Sequence, residues 1–136
     1  MAEYTLTTPT AVAVGASVPF NNTVIGGCCN IKHRAGSGIV TVRGGGCCKN
    51  PRRYRATFSA NVTGVTGTIQ LGLYLDGELL PETLMSVNAA SATNVLTVNT
   101  ATEIIADCDC QKITARNIAG TGLTVNTAAL IVDREA

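Results

Sequence analysis

Period-two alternation of apolar and polar residues sets the limits on what this chain can fold into. In the stretch YRATFSANV, Tyr54, Ala56, Phe58, Ala60 and Val62 fall on one side of an extended chain, and Arg55, Thr57, Ser59 and Asn61 fall on the other. Side chains alternate across a strand, so the pattern predicts a half-buried strand with one face toward a core. TIQLGLYLDGEL repeats it, with Ile69, Leu71, Leu73 and Leu75 on one face, and ends at Asp76-Gly77, a strong hairpin signal. Helical spacing is almost absent. Further strands are expected at residues 11–15, 18–32, 38–43, 84–88, 94–105, 111–117 and 122–134. Many short strands separated by Gly, Asn and Asp predict an all-β sandwich or barrel.

In the last of these segments the alternation gives way to continuous apolar residues, Ala128–Val132. Burial on both faces is the expected reason, either under a neighbouring subunit or under the chain's own loops. Charged residues make up only 14% of the 136, and the net charge is +1. That balance argues against a dedicated nucleic-acid binder and, with so many small Thr, Ala and Asn side chains, favours an oligomer. Apolar residues reach 46%, yet no run approaches the roughly 18 needed to cross a membrane as a helix. The opening MAEYTLTTPT has an acidic third residue and no apolar core, which argues against Sec-dependent export.

The order of the segments resembles a known family. GSGIVTVRGGG, YRATFSANVTG, IQLGLYLDGELLP and then TEIIADCDCQKITARNIAGTGLTVNTAALIVDRE are similar to the C1q/TNF-like jelly roll. The likeness is strongest to the bacterial and phage version found in phage surface proteins and at the tip of BclA-type collagen-like spore filaments. It is carried by Tyr54 after a glycine-rich turn, by LGLYLDGE, by GTGLTV and by the apolar closing strand, and it spans about Thr10 to Glu135. The resemblance implies a two-sheet jelly roll of about ten strands over residues 10–136, with residues 1–9 as an N-terminal extension or arm. It also implies a homotrimer whose inner sheets meet around a three-fold axis. Two departures stand out: no Gly-X-Y period is present, and DCDCQ replaces a usual turn, so the cysteines are an addition to the common pattern.

Six cysteines fall in three clusters, Cys28-Cys29, Cys47-Cys48 and Cys108-x-Cys110. If the AGSG stretch at 35–38 is a hairpin turn, antiparallel partners on either side sum to about 73, which brings the first two clusters together. Jelly-roll topology would add the third at the same end. Three readings stay open. Disulfides between clusters fit the even count, since adjacent cysteines rarely bond to each other. A zinc site has enough thiolates, but lacks C-x2-4-C spacing. Free or intersubunit thiols fit assembly in a reducing compartment.

Other chemistry is sparse. His33 is the only histidine; just before the turn it is expected to be a solvated hairpin residue, with neither a Cys/His pair nor a Ser-His-Asp triad to join. RGGGCC lacks the Lys-Ser/Thr and helix of a phosphate-binding loop. No enzymatic activity and no cofactor are expected. The basic run of Lys49, Arg52, Arg53 and Arg55 either stays solvated, pairs with Asp107 and Asp109, or forms a docking patch for an acidic surface such as a capsid protein. Nucleic acid is disfavoured by the scarcity of stacking aromatics, and no membrane partner is expected. The resulting expectation is a structural protein on a phage virion surface, as a decoration or fibre head. The alternatives are a spore-surface component, or a receptor- or carbohydrate-binding module.

Overall fold

The computed structural model describes residues 2–26, 30–43, 52–64, 66–106 and 110–135. Within them twelve strands form two antiparallel six-stranded sheets that pack face to face. The first sheet contains β1 (Ala2–Leu6), β2 (Thr10–Val12), β3 (Asn22–Ile25), β6 (Arg52–Thr63), β10 (Leu96–Ala106) and β12 (Leu123–Glu135). Its order is β10-β6-β12-β1-β3, with β2 also on β12. The second contains β4 (Ile31–His33), β5 (Val40–Val42), β7 (Gly67–Leu75), β8 (Glu78–Leu79), β9 (Met85–Ala89) and β11 (Gln111–Asn117). It runs β4-β5-β11-β7-β8, with β9 on the other edge of β7. The count exceeds ten because short pairings such as β2 and β8 are strands in their own right.

The alternation in the sequence maps directly onto the packing. Tyr54, Ala56, Phe58, Ala60 and Val62 of β6 all face the core, as do Ile69, Leu71 and Leu73 of β7. Burying each large apolar side chain contributes about 1.5–3 kcal/mol relative to leaving it exposed. Phe58 meets Phe20 edge-on, ring centroids 6.5 Å apart, joining β6 to the segment that precedes β4. Asp76 and Gly77, both at positive φ (51° and 86°), close the β7–β8 hairpin as the Asp-Gly signal predicts.

Three expectations need correction. Residues 2–6 do not form an arm: β1 lies inside the first sheet between β12 and β3, with Ala2, Tyr4 and Leu6 buried. Their own alternation, A-x-Y-x-L, is the reason. Residues 18–32 are not one strand. Ser17 bridges Arg116 of the second sheet, β3 then joins the first sheet, and β4 returns to the second, so the segment changes sheets twice. In the single chain, the run Ala128–Val132 is not covered equally on both faces by its own loops. Ala128, Leu130 and Val132 face the core, whereas Ala129 and Ile131 are half-buried on the opposite face. A bulge at Asn126, where the register with β6 shifts, flips the parity so that Val125 and Ala128 both point inward.

Candidate functional site

Two regions of the sandwich carry side-chain arrangements beyond core packing. The first is the end from which the cysteine-bearing segments leave. β4 and β5 pair with Ile31 opposite Val42 and His33 opposite Val40, so partners sum to 73 as the hairpin argument requires. Arg43 N–H donates to the Asn30 carbonyl at 2.8 Å, and the Tyr54 hydroxyl donates to the Arg43 carbonyl at 2.6 Å. Arg52 Nη1 donates to Asn30 Oδ1. Ala106, the last residue of β10, lies opposite Arg52, the first of β6, and Gln111 lies opposite Val42. The residues flanking all three clusters are therefore neighbours at one end of the sandwich.

Cys110 is exposed and free. Cys28, Cys29, Cys47, Cys48 and Cys108, together with Lys49, Asp107 and Asp109, lie outside the described residues, as do the pairings expected of them. Strand alternation divides the remaining basic run. Arg52 is half-buried on the core-facing side of β6, while Arg53 and Arg55 are exposed on the outer face. Arg55 Nη2 is 3.8 Å from Glu103 Oε1 on β10, its cross-strand partner. Both side chains are more than half exposed, so the pair is worth about 0–1 kcal/mol.

The second region is the outer face of the first sheet. Across its centre Asn61 on β6 donates through Nδ2 to Thr127 Oγ1 on β12 at 2.9 Å. Its Oδ1 accepts from Thr97 Oγ1 on β10 at 2.7 Å. This three-strand ladder borders a depression of about 240 Å³ floored by Ser59, Ala60, Ala128 and Ala129. The face is small-residued and uncharged at its centre. Among the described residues its charges are Arg53, Arg55, Glu103 and Asp133 toward one end, with Glu3 of β1 opposite Ile131.

His33 differs from its expected solvated state. It is half-buried on β4, tilted against the Tyr4 ring at 4.4 Å and edge-on to Phe20 at 6.0 Å. Its Nε2 is 2.7 Å from the Ser37 carbonyl; a carbonyl only accepts, so this nitrogen carries the proton. Nδ1 is buried with no partner among the described residues. The imidazole is thus a fixture between aromatic rings and a turn. Sequence reading placed His33 at the hairpin but missed that the odd-numbered side of β4 faces the core.

No protein-family model and no curated protein matches the sequence. The fold is similar to the globular domain of zebrafish complement 1qA protein, with 15% identity, 96% of this chain and 94% of that chain covered, and a TM-score of 0.66. It is similar to murine APRIL at 13% identity, 97% and 98% coverage and a TM-score of 0.66. It is also similar to Eiger TNF from S. frugiperda at 13% identity, 99% and 92% coverage and a TM-score of 0.61. The chain thus has a two-sheet jelly-roll fold similar to that of C1q and TNF-family domains.

Proposed function

We propose that this domain is a non-enzymatic structural protein that assembles as a homotrimer through the outer face of the β10-β6-β12-β1 sheet. The observation that carries this reading is the face itself. Thr97, Asn61 and Thr127 hydrogen-bond one another, so a second copy that covers them has fewer polar groups left to satisfy. Ala129 and Ile131 beside them are already half-buried. A surface with no charge at its centre is suited to close approach, because no ion has to be desolvated. Resemblance to C1q/TNF-like jelly rolls implies the same geometry, with inner sheets around a three-fold axis.

The setting we favour is the surface of a phage virion, as a decoration or fibre head in contact with the major capsid or another particle protein. A domain-sized chain with low charge and no Gly-X-Y repeat within its 136 residues suits repeated display on a particle rather than a collagen-like filament. Arg53, exposed at the cysteine-bearing end, is the best placed cation for an acidic docking surface. On the same reading the cysteine clusters bond to one another across segments. Mass spectrometry of purified particles tests the setting: the chain should be recovered at a stoichiometry matching a symmetric surface component. Recovery from spore coats instead, with none in virions, would overturn it.

A further inference from the structure

The two outer faces of the sandwich treat their cations differently. On the first sheet Arg55 is flanked in register by Glu103 and Asp133. On the second, Lys32, Thr41 and Lys112 form one cross-strand row over β4, β5 and β11, and Arg34 follows Lys32 two residues on. None of these three cations has an ion-pair partner among the described residues. Asp76 accepts the Lys112 backbone N–H through Oδ1 at 2.8 Å.

The three cations line a cleft of about 390 Å³ together with Ser37 and Thr41. Its rim is preorganised: the Ser37 carbonyl accepts from Phe20 N–H at 3.1 Å, Gly36 N–H donates to the Phe20 carbonyl at 2.8 Å, and His33 Nε2 also holds Ser37. Such fixing reduces the ordering cost that a ligand would otherwise meet. Positive charge with no ion-pair partner among the described residues, the Thr41 hydroxyl and a rim held by hydrogen bonds together match an anion.

We propose that this cleft binds a polyvalent oxyanion, a ligand carrying two or more phosphate or sulfate groups. Lys32 and Lys112 stand two strand spacings apart, about 10 Å between backbones, and their flexible stems let both ammonium groups reach one ligand. Nucleic acid fits less well, because His33, the ring in the cleft lining, is already packed against Tyr4 and Phe20, and Tyr74, further along the sheet, is covered by the Arg116 guanidinium at 4.7 Å. The cleft lies on the sheet opposite the proposed assembly face, so it stands whether or not the chain trimerises.

Isothermal titration of the full chain at low salt tests this with tripolyphosphate and with a disaccharide bearing two sulfates. Inorganic phosphate and inorganic sulfate, with one group each, serve as the single-group controls. One site per chain is expected, with at least one polyanion binding about tenfold or more tighter than its control; the tighter arm identifies phosphate or sulfate as the natural chemistry. Lys32→Gln and Lys112→Gln should each weaken binding about tenfold or more, and Arg134→Gln, on β12 of the other sheet, should leave it unchanged. The proposal is overturned if neither polyanion binds, if Arg134→Gln weakens binding as much as Lys112→Gln, or if a single-stranded oligonucleotide binds tighter than both.

Discussion

Asn61 of β6 donates to Thr127 of β12 at 2.9 Å and at the same time accepts from Thr97 of β10 at 2.7 Å, tying three adjacent strands together on the face away from the core. An amide held at both ends in this way presents few unmet hydrogen bonds to whatever covers it. In the proposed assembly that cover is a second copy of the same sheet.

Ala129, beside this ladder, gives the sharpest perturbation. It is half-buried on the outer face of β12, where a longer side chain has room in an isolated chain but none between two packed sheets. Ala129→Arg should therefore leave the strand content by circular dichroism unchanged while breaking the assembly. The change places an unpaired charge at the contact, a cost of several kcal/mol. Sedimentation velocity should then find the 14.0 kDa chain alone.

Asn117 is fully buried and satisfied on three sides. Its Nδ2 donates to the carbonyls of Val12 and Thr121 at 3.1 and 3.0 Å, and its Oδ1 accepts from Ala119 N–H at 3.0 Å. Asn117→Ala strips the link between β2 and the β11–β12 connection and leaves three backbone groups unmet. Urea unfolding at fixed protomer concentration should show a loss of about 2–4 kcal/mol.

Two glycines should respond differently to the same substitution. A Cβ at Gly38 would sit 2.7 Å from Ser17 Cβ and 2.9 Å from the Val18 carbonyl oxygen, so backbone would have to move. A Cβ at Gly72 would meet Leu79 Cδ1 at 2.6 Å, the free end of a side chain that can turn away. Gly38→Ala should destabilise by about 1–3 kcal/mol, and Gly72→Ala by less than about 1.5 kcal/mol. Thermal melting of the two variants side by side checks the order.

The cysteines are open to a direct mass measurement. If the three clusters bond across segments after release from a reducing compartment, the air-exposed protein should be lighter than the reduced one by about six hydrogens. It should also melt at lower temperature in reductant, since each closed loop typically contributes about 2–4 kcal/mol. An unchanged mass, with every thiol alkylated without prior reduction, would contradict the disulfide reading.

Much of the fold was legible in the sequence because a sheet with one buried face writes a two-residue period. Tyr54–Val62, Ile69–Leu75 and the Asp76-Gly77 turn could be read in this way, and so could the register of the β4–β5 hairpin. What escaped has physical causes. β1 alternates over only five residues, too short to stand out beside a Thr-rich start. The bulge at Asn126 changes which parity faces the core, and the apolar run after it comes from Ala129 and Ile131 on the outer face beside Ala128, Leu130 and Val132 on the inner. The sheet-switching at residues 17–33 follows from tertiary pairing that no local pattern encodes. The two candidate surfaces were hidden for a related reason. Lys32 and Lys112 are 80 positions apart in the chain, and only the β4-β5-β11 register brings them into one row. The residues flanking the cysteine clusters converge as the hairpin and jelly-roll arguments predicted, through the Arg52–Ala106 and Asn30–Arg43 pairings.

The central claim is that the uncharged face built on Asn61 and Thr127 exists to meet other copies of itself. Size-exclusion chromatography with multi-angle light scattering on the purified full chain tests it most directly. A mass of about three times 14.0 kDa, stable on dilution, is the predicted result; a monodisperse species at the mass of one chain would contradict it.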